Sequence, residues 1–463
     1  MSTGGAVQTA MPQTAMNAIV DFPVKPEARP YLDAFERGVH NAQVEPAWLA
    51  ANRRRAIARF AELGFPSRKS ESWRYLDLQP LQRQPLLPAA APSGAMLRTM
   101  GDRLAHLTLP ETSVRLVLID GCFARELSSI AVPEGVWFGP TRSAIAEQPD
   151  LLREVMDDFS GDAAHPFAAL NAAFFGDGYI LAIAPGVTLD QPIEIVHLGS
   201  GAGAGSYHTR SLVTLGAGSR ASILESYAGP ETGSEHYWRN DVLAVRLAEG
   251  AELTRTVIVE ESAQAVHLAQ LDATLGTEAR FTGFALLLGG HTVRHEADVR
   301  MTGENARCRI DGAFIVTGGD EVNIVTAIDH AALGGQTREL IKGVAAGRGH
   351  GAFQGRIIVR EDAQKTDAHQ LSRNLIIGQR AAIDTKPELE IYADDVKCTH
   401  GASVGDLDEA ALFYLCARGI PLEEARRMLI DGFLREAVDT VDDLDTRAHL
   451  LRHLARRLAS LEE

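Results

Sequence analysis

The chain has 463 residues, with 45 Lys and Arg against 61 Asp and Glu, which gives a formal net charge of −16. This charge argues against binding to phosphate backbones, so nucleic acid is not expected as a partner. The N-terminus lacks the pattern of a secretory signal, and no segment approaches about 18 uncharged apolar residues, so we expect a cytoplasmic protein without a membrane span. The cysteines form no CxxC pair, which fits free thiols in a reducing compartment. They are Cys122, Cys308, Cys398 and Cys416.

The N-terminal part of the chain has two patterns. Residues 1–25 are rich in Ala, Thr, Gln and Pro without periodicity, which predicts a disordered leader. Residues 26–177 are mainly helical in pattern: apolar residues recur at helical intervals over 31–63, and Gly64 supplies a stop. Three further elements are predicted here, a buried strand over 114–120 and helices over 143–156 and 166–175.

Between residues 178 and 405, short apolar or alternating runs are separated by glycine turns. A repeat of this kind predicts a β-solenoid, in which each coil buries its inner face by stacking on its neighbours. The competing antiparallel sandwich requires hairpin turns every 8 to 12 residues or so, and only Asp177-Gly178 and Asp311-Gly312 resemble them. We therefore predict a mainly β protein built on a parallel β-helix. The turn glycines that define the repeat are Gly218, Gly250, Gly276 and Gly303, at intervals of 32, 26 and 27 residues.

Residues 406–463 return to a helical period. One helix is predicted to end before Gly419, and a second has Pro421 as its first residue. A last amphipathic helix runs from Leu444 to Leu458. An apolar stripe on a terminal helix usually packs on its own domain, and a partner-binding face is the alternative.

The run from Asp394 to Ala402 lies where the β pattern meets the helical tail. Side chains alternate across a strand with a period of two, so Cys398 and His400 are predicted to project from one face. Thiolate and imidazole are both ligands of soft or borderline metals, which makes this pair a candidate metal site. Plain packing is the alternative for Cys398.

Other common site patterns are absent from the sequence. There is no GxxxxGK[ST] loop for a P-loop ATPase and no GxSxG elbow for a serine hydrolase. His291 and His295 would lie about 13 Å apart on a strand, so we interpret them as surface histidines. A β-solenoid enzyme acting on polysaccharide would need acidic side chains clustered on one face, whereas Asp394 and Asp395 alternate between faces.

An ordered set of segments resembles the SufB/SufD family of the Suf iron-sulfur cluster assembly system. The segments are Glu71-Ser72-Trp73-Arg74-Tyr75, Phe167-Ala168-Ala169-Leu170-Asn171, Lys365-Thr366-Asp367-Ala368, Asn374-Leu375, the run from Pro387 to Ala402, Leu412-Phe413-Tyr414-Leu415 and Arg418-Gly419-Ile420. The match is closer to the SufD branch, because SufB proteins typically show Val-Glu-His-Glu-Ala where this chain has Val-Lys-Cys-Thr-His-Gly-Ala.

The resemblance implies a right-handed parallel β-helix between helical regions, and a non-catalytic scaffold subunit of an ATP-driven complex. It implies pairing with SufB through the β-helices and docking of the SufC ATPase on the C-terminal helices. The family's assembly is usually one SufB, two SufC and one SufD. It assigns His400, with Cys398 beside it, to a nascent iron-sulfur cluster at the SufB interface, and we expect no stable cluster on the isolated chain.

Three points stay open at this stage. A SufB-like homodimeric scaffold shares the fold, and the isolated chain is open to homodimerisation. The family's complex has been linked to a reduced flavin, but this chain shows no flavin motif.

Overall fold

The computed structural model describes residues 22–38, 45–89, 100, 104, 107–109, 114–156, 165–201, 203–230 and 236–460. Most of the predicted leader lies outside these ranges. None of the helices within them combines the length and the apolar composition needed to cross a bilayer. All four cysteines lie within them and are free thiols, as predicted.

Two parallel sheets form the body of the protein. Three short strands, β1 Arg115–Ile119, β2 Cys122–Phe123 and β3 Val136–Pro140, lie at the N-terminal end of the sheets, and β1 confirms the predicted strand. Within the described ranges, the next sixteen strands, β4 to β19, form eight coils of two strands each. The even-numbered strands lie in one sheet and the odd-numbered strands in the other. The predicted mainly β fold and solenoid are confirmed, whereas the right hand of the coil stays a prediction.

The coil strands have the following bounds: β4 Tyr179–Ile183, β5 Ile193–Leu198, β6 Gly205–Leu215, β7 Arg220–Ala228, β8 Tyr237–Leu247, β9 Glu252–Glu260, β10 Ala265–Leu275, β11 Arg280–Gly289, β12 Thr292–Met301, β13 Arg307–Val316, β14 Glu321–His330, β15 Gln336–Ala346, β16 His350–Val359, β17 Asp367–Ile377, β18 Ala382–Ile391 and β19 Lys397–Gly405.

The solenoid core consists of side chains stacked in register from coil to coil. One such column is Val213, Val245, Ala273, Val299 and Ile328, which occupy equivalent positions on successive even strands and are all buried. Because each coil covers the apolar face of the next, the coils are stable only as a stack.

A column of left-handed residues marks the turn from each even strand to the next odd strand. Gly218 has φ +67° and donates its N–H to the carbonyl of Glu249 in the next coil at 2.8 Å. Two of the turn glycines from which the repeat was predicted, Gly276 and Gly303, are not equivalent to Gly218, since each lies two residues before the left-handed residue of its turn. They are glycines for another reason: a Cβ on Gly303 would lie 1.9 Å from the backbone nitrogen of Thr277. The column itself contains Gly218, Gly250, Glu278, Asn305, Gly334 and Lys365.

Within the described residues, six helices precede the solenoid in sequence: α1 Arg29–Glu36, α2 Ala47–Leu63, α3 Gln79–Arg83, α4 Thr141–Glu147, α5 Pro149–Met156 and α6 Pro166–Phe174. The single helix predicted over 143–156 is wrong, because Gln148 precedes a proline and leaves the helical region with φ −136°. Helix α6 confirms the prediction over 166–175.

The segment from Phe167 to Asn171 has a structural role. The buried Asn171 amide donates to the carbonyls of Thr209 and Asn240 at 2.7 and 2.8 Å, which fixes α6 to strands β6 and β8. Phe167 packs against Trp73 with ring centroids 5.4 Å apart. The resemblance at this segment therefore reflects the joint between helices and solenoid.

Three helices follow the solenoid: α7 Glu409–Ala417, α8 Leu422–Val438 and α9 Leu444–Ala459. Leu434 of α8 and Leu450 and Leu454 of α9 are buried in one cluster with Ile258 and Leu286 of the odd-numbered sheet. The prediction that the last helix packs on its own domain is therefore confirmed. Pro421 precedes α8 as its N-cap, one position earlier than predicted.

Buried imidazoles predict how stability depends on pH. Burial lowers the pKa of His208, His295 and His449 to about 3 and that of His330 to about 4. These side chains stay neutral in the folded state, whereas in the unfolded chain they take up protons below about pH 6.5. Their contribution to stability is therefore lost as the pH falls from about 6.5 toward 3.

We expect the loss of stability to be steepest near pH 4. At higher pH it is partly offset, because burial raises the pKa of Glu339 to about 7 and that of Asp177 to about 6. As the pH falls, these two carboxyl groups take up protons in the folded state before they do so in the unfolded chain. Their protonation therefore stabilises the fold down to about pH 4.5. Near pH 4 the four histidines dominate, and the net slope is about 3 kcal/mol per pH unit. Urea unfolding at a series of pH values measures this slope, and a stability that is flat between pH 5 and 3.5 would contradict it.

Candidate functional site at the open end of the solenoid

The last coil of the solenoid is open. Strands β18 and β19 are the terminal strands of their sheets, and no other strand in the described part of the chain pairs with their outer edges. Leu389, Val396 and Cys398 are only partly buried against the core, because no further coil covers them. Ile391, Tyr392 and Val404 add exposed apolar surface at the same end.

Cys398 and His400 both occupy lumen positions on β19. Cys398 is in register with buried Ala368 of β17, and His400 is in register with buried Gln370. Thr399 faces the outside, where its hydroxyl lies 2.7 Å from Nδ1 of the exposed His369. The alternation that the sequence predicted thus sets the thiol and the imidazole on one face, at the mouth of the lumen.

The two side chains differ in environment. Cys398 is half-buried, and burial raises the pKa of its thiol above the ordinary value, so the thiol is protonated at neutral pH. His400 is exposed. An exposed imidazole beside a partly covered thiol offers two ligand atoms to a metal that arrives from outside.

The preceding acidic pair has a different role. The carbonyl of Asp395 accepts the N–H of Lys365 at 2.6 Å, and the Asp395 N–H donates to Oε1 of Gln364 at 2.9 Å. The Asp395 carboxylate also forms an ion pair with Lys365. Asp395 therefore closes the last turn of the left-handed column, which explains why the segments around Lys365 and Asp395 occur together.

A second cluster of ligand-type side chains joins α6 to β12, and sequence reasoning missed it. Nε2 of His165 lies 3.1 Å from Asp298, and Nδ1 lies 3.6 Å from Glu296. The two ring nitrogens address different carboxylates instead of converging on one point, and Arg294 neutralises Glu296 at 3.0 Å. Burial raises the pKa of Asp298, while His165 opposes the rise. We interpret the cluster as a network of ion pairs that connects the start of α6 to β12. His165 lies 131 and 133 positions before Glu296 and Asp298, so no local motif signals the cluster.

The lumen of the early coils is polar as well. Glu225 accepts from Nε of Arg255 at 2.9 Å and from the hydroxyl of Tyr227 at 2.8 Å. Although burial raises the pKa of Glu225, Arg255 and His197 hold it well below the usual range. His295 lies buried beside this network, so its interpretation as a surface histidine is wrong. The sequence did not reveal that this lumen accepts charged groups, which are stable here because they are paired.

The family comparisons cover almost the whole described chain. Residues 27–195 match the model of the SufBD protein N-terminal region, and residues 197–433 match that of the SUF system FeS cluster assembly SufBD core domain. The chain belongs to the SufBD family of iron-sulfur cluster assembly proteins. The core-domain match contains Cys398, His400 and the open end, so the candidate site lies within the part that defines the family.

Individual SufBD relatives agree with this placement. The chain is 28% identical to the iron-sulfur cluster assembly protein SufD of Escherichia coli over 431 residues, which covers 92% of this chain and 97% of the relative. It is 28% identical to a SufBD family protein of Synechocystis, with 89% and 91% of the two chains covered. SufD of Bacillus subtilis is 25% identical, with 89% and 95% covered.

Proposed function

We propose that this chain is a SufD-type scaffold subunit that pairs with SufB through the open end of its solenoid and docks the SufC ATPase on α7 and α8. The observation that carries the proposal is the open last coil, which combines two unpaired sheet edges with two ligand side chains. The subunit itself is non-catalytic and works in the cytoplasm. Its cargo is a nascent iron-sulfur cluster held between subunits.

Pairing with SufB is supported by the chemistry of the sheet edges. Unpaired N–H and C=O groups along β18 and β19 are a template for further strands. A paralogue with the same solenoid ends in two equivalent strands, so both sheets can continue from one subunit into the other. The contact also covers Leu389 and Val396, which the last coil leaves partly exposed.

A charge at this end is expected to break the pairing. Val404→Asp places a carboxylate on β19, where the side chain is 40% exposed, and should weaken capture of SufB about tenfold or more, because burying an unpaired charge is costly. Leu333→Asp is the matched control, since Leu333 is 41% exposed on a turn away from the open end. Pull-down of co-expressed SufB measures both. Equal capture by the two variants would contradict pairing through this end.

Docking of SufC is supported by the exposure of α7. This helix has no buried residue in the described chain, although its composition is strongly apolar. Phe413 and Tyr414 are exposed, as are Leu422 and Met428 of α8. A helix of this kind fits a hydrophobic groove on a partner.

Transient binding of the cluster follows from the number of ligands. Protein-bound clusters have about four ligands, whereas the open end offers the thiol of Cys398 and the imidazole of His400. The remaining ligands would come from SufB. We therefore expect the isolated chain to retain no stoichiometric cluster after anaerobic reconstitution and to hydrolyse no ATP.

A further inference from the structure

Two buried polar side chains lie directly below His400 in the lumen. Gln370 of β17 is in register with His400, and Glu339 of β15 is in register with Gln370. The next position inward is the apolar Ile310. The polar column therefore begins at Glu339 and leads only toward the open end.

Two buried oxygens of the column, Oε1 of Glu339 and Oε1 of Gln370, accept no hydrogen bond from the described residues, and the second lies on the residue below His400. Nε2 of Gln370 donates to Glu339 at 2.6 Å. Oε1 of the same amide is buried and accepts no hydrogen bond from the described residues. A buried acceptor without a partner reduces stability. The contact with Glu339 accounts for the amide nitrogen of Gln370, and the amide oxygen is left for the imidazole in register above it.

We propose that Gln370, anchored by Glu339, is a positioning residue that sets the tautomer and orientation of His400. Successive strands lie about 4.8 Å apart, so Oε1 is within reach of an imidazole N–H on the next coil. One ring nitrogen then donates to Gln370, and the other keeps its lone pair for iron at the mouth of the lumen. This inference rests on the proposed ligand role of His400.

The chain provides a matched control for Gln370. Asn374 is also a buried amide on β17, and its Oδ1 also accepts no hydrogen bond from residues that the structure describes. Asn374 lies below Val404 instead of His400. A general amide ladder in the lumen would make the two residues equivalent, whereas positioning of His400 makes only Gln370 important.

The test is the tautomer of His400, read from the ¹⁵N shifts of the full-length isolated chain labelled on histidine. Comparison with His400→Ala assigns its signals among the 15 histidines. At pH 8.5 an ordinary imidazole is neutral, and we expect one tautomer to dominate in the wild type. Gln370→Met should give a mixture of tautomers, and Asn374→Leu should leave the spectrum of His400 unchanged. Equal tautomers in the wild type, or no change in Gln370→Met, would overturn the inference.

A second measurement separates this inference from the proposed function. In the co-expressed complex, Gln370→Met should lower acid-labile sulfide roughly tenfold, as is typical for the loss of a residue that orients a metal ligand, and Asn374→Leu should not. If His400→Ala retains the cluster, the ligand role fails even where the tautomer shift is seen. If His400→Ala loses the cluster while Gln370→Met retains both the cluster and the tautomer, only the positioning role fails. If Gln370→Met does not fold, the tautomer ratio of His400 in the wild type is the test. One dominant tautomer supports the positioning role of Gln370, and equal tautomers contradict it.

Discussion

Replacement of His400 by alanine is expected to lower the acid-labile sulfide and the visible absorbance of the co-expressed complex roughly tenfold while the complex still assembles. His400 is exposed at the mouth of the lumen and supports little of the core, so the thermal midpoint should change by no more than about 2 °C. The loss would come from one ligand that the partner subunit does not replace.

Two neighbouring residues control the His400 experiment. Thr399→Ala changes an exposed side chain on the opposite face of β19 and should leave cluster content unchanged. Cys398→Ala should have a smaller effect than His400→Ala, because this thiol is partly occupied in packing against the core. A wild-type cluster content in His400→Ala would refute the ligand role, and a collapse of its thermal midpoint would show a structural role instead.

Replacement of Phe413 by glutamate is expected to weaken SufC binding by about thirtyfold. Phe413 is 75% exposed on α7, so the change leaves the fold intact but places a charge in the proposed hydrophobic contact. Central aromatic residues of such contacts contribute about 2 kcal/mol or more to binding, which corresponds to this factor. Titration of the purified chain with SufC measures the dissociation constant.

Leu444→Glu is the matched control for Phe413. Leu444 is 72% exposed at the start of α9, beyond the C-terminal end of α8. Deletion of residues 406–463 is a coarser test that should also abolish SufC capture, but it removes buried residues of α8 and α9 together with α7. Pairing with SufB should persist in Phe413→Glu. Equal affinity of the two point variants for SufC would locate the docking site elsewhere.

The sequence predicted those features that depend on local periodicity. The interval between turns and the alternation on β19 follow from strand geometry, so the solenoid and the shared face of Cys398 and His400 were predictable. The register of the turns was not, because two different demands select glycine: a left-handed backbone at Gly218 and a close approach of chains at Gly303.

Features that depend on distant residues were not predictable. His295 is buried in a lumen whose charged groups come from other coils. The ion pair between His165 and Glu296 joins residues 131 positions apart. The column of Glu339 and Gln370 has the same origin, since stacking between coils brings together residues 31 positions apart. A single sequence gives the side chains but not the register in which strands of successive coils pair.

Native mass spectrometry of the complex, purified through a tag on this chain after co-expression with SufB and SufC, tests the central claim most directly. A scaffold that pairs through the open end of its solenoid should give one copy of this chain, one SufB and two SufC, and Val404→Asp should remove SufB while SufC stays bound. A complex that contains two copies of this chain with SufC and no SufB would contradict the account and identify a SufB-like homodimeric scaffold.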